Sequence, residues 1–283
     1  MDRRRFLLTS LAGAFAAPVA VKGQQARAPF RIGFLVVARN PGVESSFPQG
    51  LLDLGYVEGR DVIVEWRDAG GHSDQLSFLA ADLVGRAVDV IVAGGPEARD
   101  AARKATTTIP IVVVGSSDPV AEGWAKSLAR PGGNVTGLTV EMPGLSAKRW
   151  QLLIQAAPGI SRLAILTGLT AGQPFGEAAQ AAARQLAIQL FMLPTVVRPD
   201  DVTRAINEAV QKKAHAIDVF EVATVFAHRT LIANVALSRR LPTFGIFRQS
   251  AEAGFLMTYG VDIAYLLRRA ATYVDKIFKG HRR

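Results

Sequence analysis

The chain has 283 residues, a formal net charge of +9 from 33 Lys and Arg against 24 Asp and Glu, and no cysteine. That length holds one large or two medium domains with a sizeable core, and a hydrophobic share of 49% excludes a disordered chain. The lack of cysteine excludes a disulfide framework, a thiolate nucleophile, a cysteine-based metal site and a lipid anchor on an N-terminal cysteine.

The positive charge is spread in short runs, the first being Arg3, Arg4 and Arg5, and does not make the clustered face of a nucleic-acid binder. Residues 1–28 have a basic start, an apolar stretch from Phe6 to Val21 and small residues near its end. This is the layout of an export signal cleaved between Ala16 and Ala28. Arg3-Arg4-Arg5-Phe6-Leu7 fits the twin-arginine pattern. The apolar run is short for a membrane span of about 20 residues. The mature protein is expected free in the periplasm.

From Phe30 the pattern becomes regular. FRIGFLVV (30–37) is a continuous apolar run of the kind that forms a strand buried on both faces. SSFPQGLLDLGY (45–56) reads as a helix and DVIVEWRD (61–68) as a strand. SDQLSFLAADLVGRA (73–87) reads as a helix and DVIVAGG (89–95) as a strand. PEARDAARKA (96–105) is a helix with Pro in its first turn. IPIVVVG (109–115) is a strand, PVAEGWAKSLA (119–129) a helix stopped by Pro131-Gly132-Gly133, and NVTGLTVE (134–141) a strand. After Pro143 the alternation restarts. Helices are expected at 145–158, 176–189, 199–214 and 227–241, and strands at 162–169, 190–197, 216–222 and 242–247. A strand or crossing segment at 254–260 and a helix at 261–280 end the pattern.

Repeated strand–helix alternation predicts parallel sheets with helices on both faces, an α/β fold of two Rossmann-like lobes. The expected organisation is a signal at 1–28, lobe one at 29–140, lobe two at 141–253, and 254–283 crossing back to lobe one. In open parallel sheets, ligands bind beyond the carboxyl ends of the strands. VVVGSSDPV (112–120) sits at such an end. Gly115 permits a close turn, Ser116 and Ser117 offer hydroxyls, and Asp118 before Pro119 suits a helix start, whose free N–H groups favour an anion. The same residues also read as ordinary capping without a ligand. Arg39, Asn40, Ser45 and Ser46 follow the first strand, and Gly94-Gly95 follow the third. Thr170, Glu221 and Phe247 occupy the corresponding ends of lobe two, where Phe247 is placed to stack on a flat ligand. No dinucleotide fingerprint, P-loop or nucleophile elbow is present. The histidines, His72, His215, His228 and His281, lack metal-ligand spacing. No catalytic residue, metal or cofactor is expected.

The chain resembles the tryptophan/tyrosine-type substrate-binding proteins of ABC transporters. The likeness rests on LLDLGYVEGRDVIVEWRDAGG (51–71), LAADLVGRAVDVIVAGG (79–95), ATTTIPIVVVGSSDPV (105–120), SLARPGGNVTGLT (127–139), EAGFLMTYG (252–260) and RRAATYVDKIFKG (268–280), in that order. The resemblance implies the type I periplasmic binding fold. Two lobes joined by a hinge close over a small ligand, and the closed form docks on an inner-membrane permease. Carried over by position, Ser116, Ser117 and Asp118 bind the ligand with Gly94, Gly95 and the Arg39–Ser46 loop. Thr170, Glu221 and Phe247 answer from lobe two. TGLTAGQP and FEVATVF depart from the Asn-Pro-x-x-Pro-like and Pro-Asp-Pro-like turns of the family. The family usually continues beyond the Lys-Gly matched by Lys279-Gly280, so a C-terminal tail is expected to be missing.

The leading expectation is thus a monomeric periplasmic receptor for an amino acid or related carboxylate, with no nucleic-acid partner. Alternatives are a sensor component feeding a signalling partner, a transcription regulator of the same fold, and a doubly wound enzyme using Asp118 and Glu221 as an acid/base pair. Ser117→Ala and Asp118→Ala are expected to weaken ligand binding without unfolding the protein. Titration of both variants checks this, and unchanged affinity in both removes the 112–120 turn from the site.

Overall fold

A computed structural model describes residues 28–116, 119–120, 122–127, 131–140, 145–167 and 177–280. Its first half contains β1 (Phe30–Val36), α1 (Pro41–Glu44), α2 (Ser46–Asp53), β2 (Val62–Asp68), α3 (Leu76–Gly85), β3 (Val90–Gly94), α4 (Pro96–Ala105), β4 (Ile111–Ser116) and β5 (Val135–Thr139). The second half contains α5 (Leu145–Ala156), β6 (Arg162–Leu166), α6 (Glu177–Gln185), β7 (Gln189–Met192), α7 (Pro199–Gln211), β8 (Ala216–Val219), α8 (Ala223–Ala227), α9 (Arg229–Ser238), β9 (Thr243–Gly245), α10 (Arg248–Glu252), β10 (Met257–Thr258) and α11 (Ile263–Phe278).

The strands form two five-stranded sheets, ordered β2-β1-β3-β4-β5 and β10-β9-β8-β6-β7. Every strand pairing is parallel. Strands buried on both faces carry long apolar runs, which is why β1, β3 and β4 lack polar alternation. Successive side chains point to opposite faces. Ile32, Phe34, Val92 and Val112 face one way, under α2 and α11. Leu35, Ile91 and Val113 face the other, with residues of α3 and α4.

The helix expected at 119–129 is not formed. The described residues there make turns. The amides of Trp124 and Ala125 both donate to the Pro119 carbonyl, at 3.1 and 3.0 Å, and Gly123 takes a φ of 72°. A left-handed residue breaks the helical run that the apolar spacing suggested. The strand expected at 190–197 stops at Met192, because Pro194 has no N–H for the ladder. The segment 254–260 contributes β10, paired with β9, before α11 begins.

Helix α11 comes late in the chain yet packs on α2. Gly50 permits this: a Cβ there would stand 2.4 Å from the Arg268 carbonyl oxygen. Phe278 stacks on Phe30 with ring centroids 3.9 Å apart, and Tyr56 donates to Asp275 at 2.9 Å. The same apolar cluster takes in Ile246 and Phe247, which follow β9. The core of the first sheet therefore runs into the second.

The second sheet holds a buried ion pair. Arg149 of α5 donates to Asp218 of β8 at 3.2 Å, and Trp150 Nε1 donates to the same oxygen at 2.7 Å. Both charged residues are 2% exposed. Arg149 Nε and Nη1 and Asp218 Oδ1 have no partner among the described residues. Removing one member of a buried pair leaves an uncompensated charge, whereas replacing both by apolar groups of similar shape is often neutral. Asp218→Ala is expected to cost about 3–5 kcal/mol in urea unfolding, and the Arg149→Met, Asp218→Leu double variant is expected to recover most of that loss.

Candidate functional site

Both sheets share one order: β2-β1-β3-β4-β5 is matched by β7-β6-β8-β9-β10. In each, neighbouring central strands send their connections in opposite directions, β1 against β3 and β6 against β8. A crevice opens beyond the carboxyl ends at such a point. Val36 lies opposite Gly94 in the first sheet and Leu166 opposite Val219 in the second. Residues at the ends of β1, β3, β4, β8 and β9 line one cavity of about 140 Å³. That is the size of a cavity that accepts one benzene ring.

Its walls are mostly apolar. Val36, Val37 and Ala38 come from the end of β1, Val114 and Gly115 from β4, and Phe220, Glu221 and Val222 from the loop after β8. Phe34, Phe220, Phe226 and Phe247 supply aromatic surface. Phe226 and Phe247 meet edge to face, with centroids 5.4 Å apart and planes at 86°. This is a favoured aromatic geometry, and it holds the Phe247 ring in one orientation.

Of the residues singled out from the sequence, Asn40, Gly94, Gly95, Glu221 and Phe247 line this cavity. Asn40 directs its backbone N–H to Glu44 Oε1 at 2.6 Å, while its own Nδ2 is buried without a partner among the described residues. Gly95 begins α4 with φ 87° and ψ 173°, a conformation open essentially to glycine alone. Its amide donates to the Val114 carbonyl at 2.9 Å, so β3 turns sharply into α4 at the wall.

Arg39, Ser45 and Ser46 are not brought to the cavity. Arg39 donates to Glu44 at 2.8 Å and lies over the Trp66 ring, 4.7 Å from its centroid. Ser45 is exposed at the junction of α1 and α2, and Ser46 opens α2. Ser116 ends β4 beside the wall residue Gly115. Ser117, Asp118 and Thr170 lie outside the described residues.

Glu221 is the buried acid of the second wall. Its carboxylate accepts the amides of Ile246 and Phe247, the latter at 2.8 Å, and the hydroxyl of Ser250. Both oxygens are thus engaged, and they pin the turn that carries Phe247. Burial pushes the Glu221 carboxyl above its ordinary range, against the lowering effect of these hydrogen bonds. Glu97, in the first turn of α4 and not among the lining residues, has Oε2 buried without a partner among the described residues. Burial raises its carboxyl too. The phenylalanines at 34, 220 and 226 were missed, because an isolated Phe in an apolar run reads as core. Among the described residues, no group of His, Cys, Asp and Glu is placed to hold a metal ion.

The ABC transporter substrate binding protein family model matches residues 40–283, most of the chain. The chain belongs to that family. The binding protein is 23% identical over 255 residues to the tyrosine-binding protein of Clostridioides difficile strain R20291, covering 88% of this chain and 72% of that one. A conserved domain protein from Vibrio cholerae O1 biovar eltor strain N16961 superimposes with a TM-score of 0.79 at 25% identity, over 89% of this chain and 85% of that one. The ABC domain from Streptococcus pneumonia in complex with L-Trp does so with a TM-score of 0.79 at 19% identity, over 89% and 86%. The binding protein has the type I periplasmic binding fold. Among the described residues, no helix is long and apolar enough to cross a membrane.

A carboxyl raised by folding contributes stability that is full below its unfolded pKa and is lost as pH rises through the folded one. For Glu221 that window opens at the ordinary value of 4.5 and extends upward. Glu221→Gln removes the titration. The stability difference between the parent and Glu221→Gln is therefore expected to favour the parent most at low pH and to shrink across this window. Thermal melts at stepped pH check it.

Proposed function

We propose that this protein is an exported receptor that closes two lobes over one small ligand and presents it to an ABC permease in the inner membrane. The observation that carries this reading is a cavity bounded by strand ends of both sheets, apolar and aromatic in its walls, with few polar groups. Ligand sites of this kind take their affinity from apolar burial and their orientation from sparse polar atoms. The proposed ligand is an amino acid or related carboxylate with an aromatic body. The tyrosine-binding relative and the L-Trp complex of a structural neighbour support that class.

Closure follows from differential contact. A ligand that touches both walls binds the closed form more tightly and shifts the population toward it by that difference. The hinge is assigned to the segments near 135–140 and 254–259, which contain β5 and β10. Export rests on residues 1–28, whose basic, apolar and small-residue order is that of a twin-arginine signal. The mature protein then works in the periplasm as a monomer. An acid/base role for Glu221 is disfavoured, because both its oxygens are already held by protein donors.

The test is thermal unfolding of the purified chain against aromatic amino acids and aromatic carboxylates, with recovery of the ligand afterwards. A true ligand at a hundred times its Kd adds about 2.7 kcal/mol of stability and returns chemically unchanged. Chemical conversion of the ligand would replace the receptor with an enzyme. Phe247→Leu is expected to weaken an aromatic ligand roughly two- to tenfold, the worth of one aromatic pair. Titration calorimetry measures this loss.

A further inference from the structure

Cations that lie far apart in the sequence are gathered by the fold at the amino ends of the second sheet. Strands β7, β6, β8 and β9 are neighbours, and their first residues are in register: Arg162 lies opposite Gln189, Leu163 opposite Ala216 and Ile217 opposite Thr243. The segments that enter these strands, 157–162, 184–189, 212–216 and 238–242, carry Arg162, Arg184, Lys212, Lys213, Arg239 and Arg240, together with His215, and no Asp or Glu. Arg162 is half-buried and the others are exposed. Arg162 and Lys212 share one ring, at 5.8 and 5.6 Å from the Phe191 centroid, so like charges are held close together. Lys212 is paired with Glu208 at 2.6 Å. Among the described residues, no carboxylate forms a salt bridge with Arg162, Arg184, Lys213, Arg239 or Arg240. Arg239 turns to the neutral Asn207 at 3.2 Å.

The corresponding edge of the first sheet is built differently. There Arg60 pairs with Asp61 at 2.7 Å, Arg86 with Asp82 at 2.9 Å and Arg31 with Glu65. Its cations are neutralised where they stand. Two edges of the same topology thus differ in charge, and topology alone does not account for the second.

Helix dipoles do not account for it either. A cation near a helix C-terminus is stabilising, and α7 and α9 end at this edge. Yet the end of α7 is already met by Arg162, which donates to the carbonyls of Lys212 and Lys213 at 2.7 and 3.1 Å. Lys213 and Arg240 also occupy left-handed backbone, with φ of 53° and 56°. Glycine takes that conformation at lower cost, and Gly55 does so after α2. The two cations are kept where the backbone disfavours any side chain.

We infer that this edge is a docking surface for acidic lipid headgroups. The four strand heads cover three spacings of about 4.8 Å, roughly 14 Å in all, which is wide for one small anion and suits a surface that carries many. Phe191, the ring among these cations, is covered by two of them and is not offered for base stacking. The surface lies at the opposite ends of the strands from the cavity, so the inference goes beyond the ligand-site reading and stands without it. For a receptor that serves a permease, such contact confines its search to the membrane surface.

The chain has no cysteine, so Ser161→Cys carries a single environment-sensitive fluorophore at this edge. Thr107→Cys, on the exposed loop before β4, places the same label at the corresponding edge of the first sheet. Each labelled full chain is titrated with vesicles of phosphatidylglycerol and phosphatidylcholine, and with vesicles of phosphatidylcholine alone. The Ser161 label is expected to respond to the acidic vesicles only, and to lose that response in about 1 M salt, where the Debye length is about 3 Å. The Thr107 label is expected to stay silent. Each label reports its own surroundings, so membrane contact at residues 1–28 does not imitate the result. Lys213→Asn, Arg239→Gln and Arg240→Asn together are expected to weaken the apparent vesicle affinity roughly a hundredfold, about fivefold per charge. Asn tolerates left-handed backbone, so this variant is expected to melt with the parent. A Ser161 label silent toward acidic vesicles overturns the inference. So does a neutralised variant that binds them like the parent, or a Ser161 label that responds to duplex DNA and not to vesicles.

Discussion

Parallel pairing is the constraint from which the rest of this structure follows. A parallel strand cannot be joined to its neighbour by a tight turn, so each connection must cross a face of the sheet. The helices that make those crossings bury both faces, which requires strands that are apolar on both sides. The same geometry sends every strand end of one kind to the same edge. All loops that follow strands are thereby gathered on one side of each sheet, with no further design needed to bring distant residues together. Two sheets with the same strand order then face one cavity with equivalent edges.

Polar groups around that cavity divide into those the protein has used and those it has not. Glu44 takes the side chain of Arg39 and the amide of Asn40, which sets the loop after β1. Glu221 takes three donors and sets the turn after β9. These acids build the walls. Asn40 Nδ2 has no partner among the described residues. The distinction matters because a polar group already satisfied within the fold has little left to offer a ligand, whereas a buried unsatisfied one has a hydrogen bond to regain.

Much of the fold was legible in the residues. FRIGFLVV and DVIVAGG read as buried strands because both-face burial leaves an uninterrupted apolar run. PEARDAARKA read as a helix to the residue, since Pro96 marks its first turn. The segment at 119–129 misled because its apolar spacing is helical, while Gly123 and the shared Pro119 carbonyl impose turns. The cleft was half legible. Strand ends pointed to Asn40, Gly94, Gly95, Glu221 and Phe247 at the wall. They pointed equally to Arg39, Ser45 and Ser46, which local contacts turn elsewhere. The phenylalanines of the wall, Phe34, Phe220 and Phe226, were not singled out, because nothing in the string of letters distinguishes a ring facing a cavity from one packed in the core.

Helix α11 has a consequence for how the molecule comes into being. It covers α2 and the inner face of the first sheet, yet it is the last helix among the described residues, and Phe30 stacks on Phe278 across nearly 250 positions of sequence. Local contacts form early in folding, and contacts between distant segments must first meet the cost of closing a large loop. The second sheet, assembled from residues 162–258, is complete before α11 leaves the ribosome. The first sheet, although synthesised earlier, has this face covered only in part, by α2, until then. During synthesis the order of maturation is therefore the reverse of the order of translation. The early half presents an adhesive apolar surface to whatever machinery holds the nascent chain.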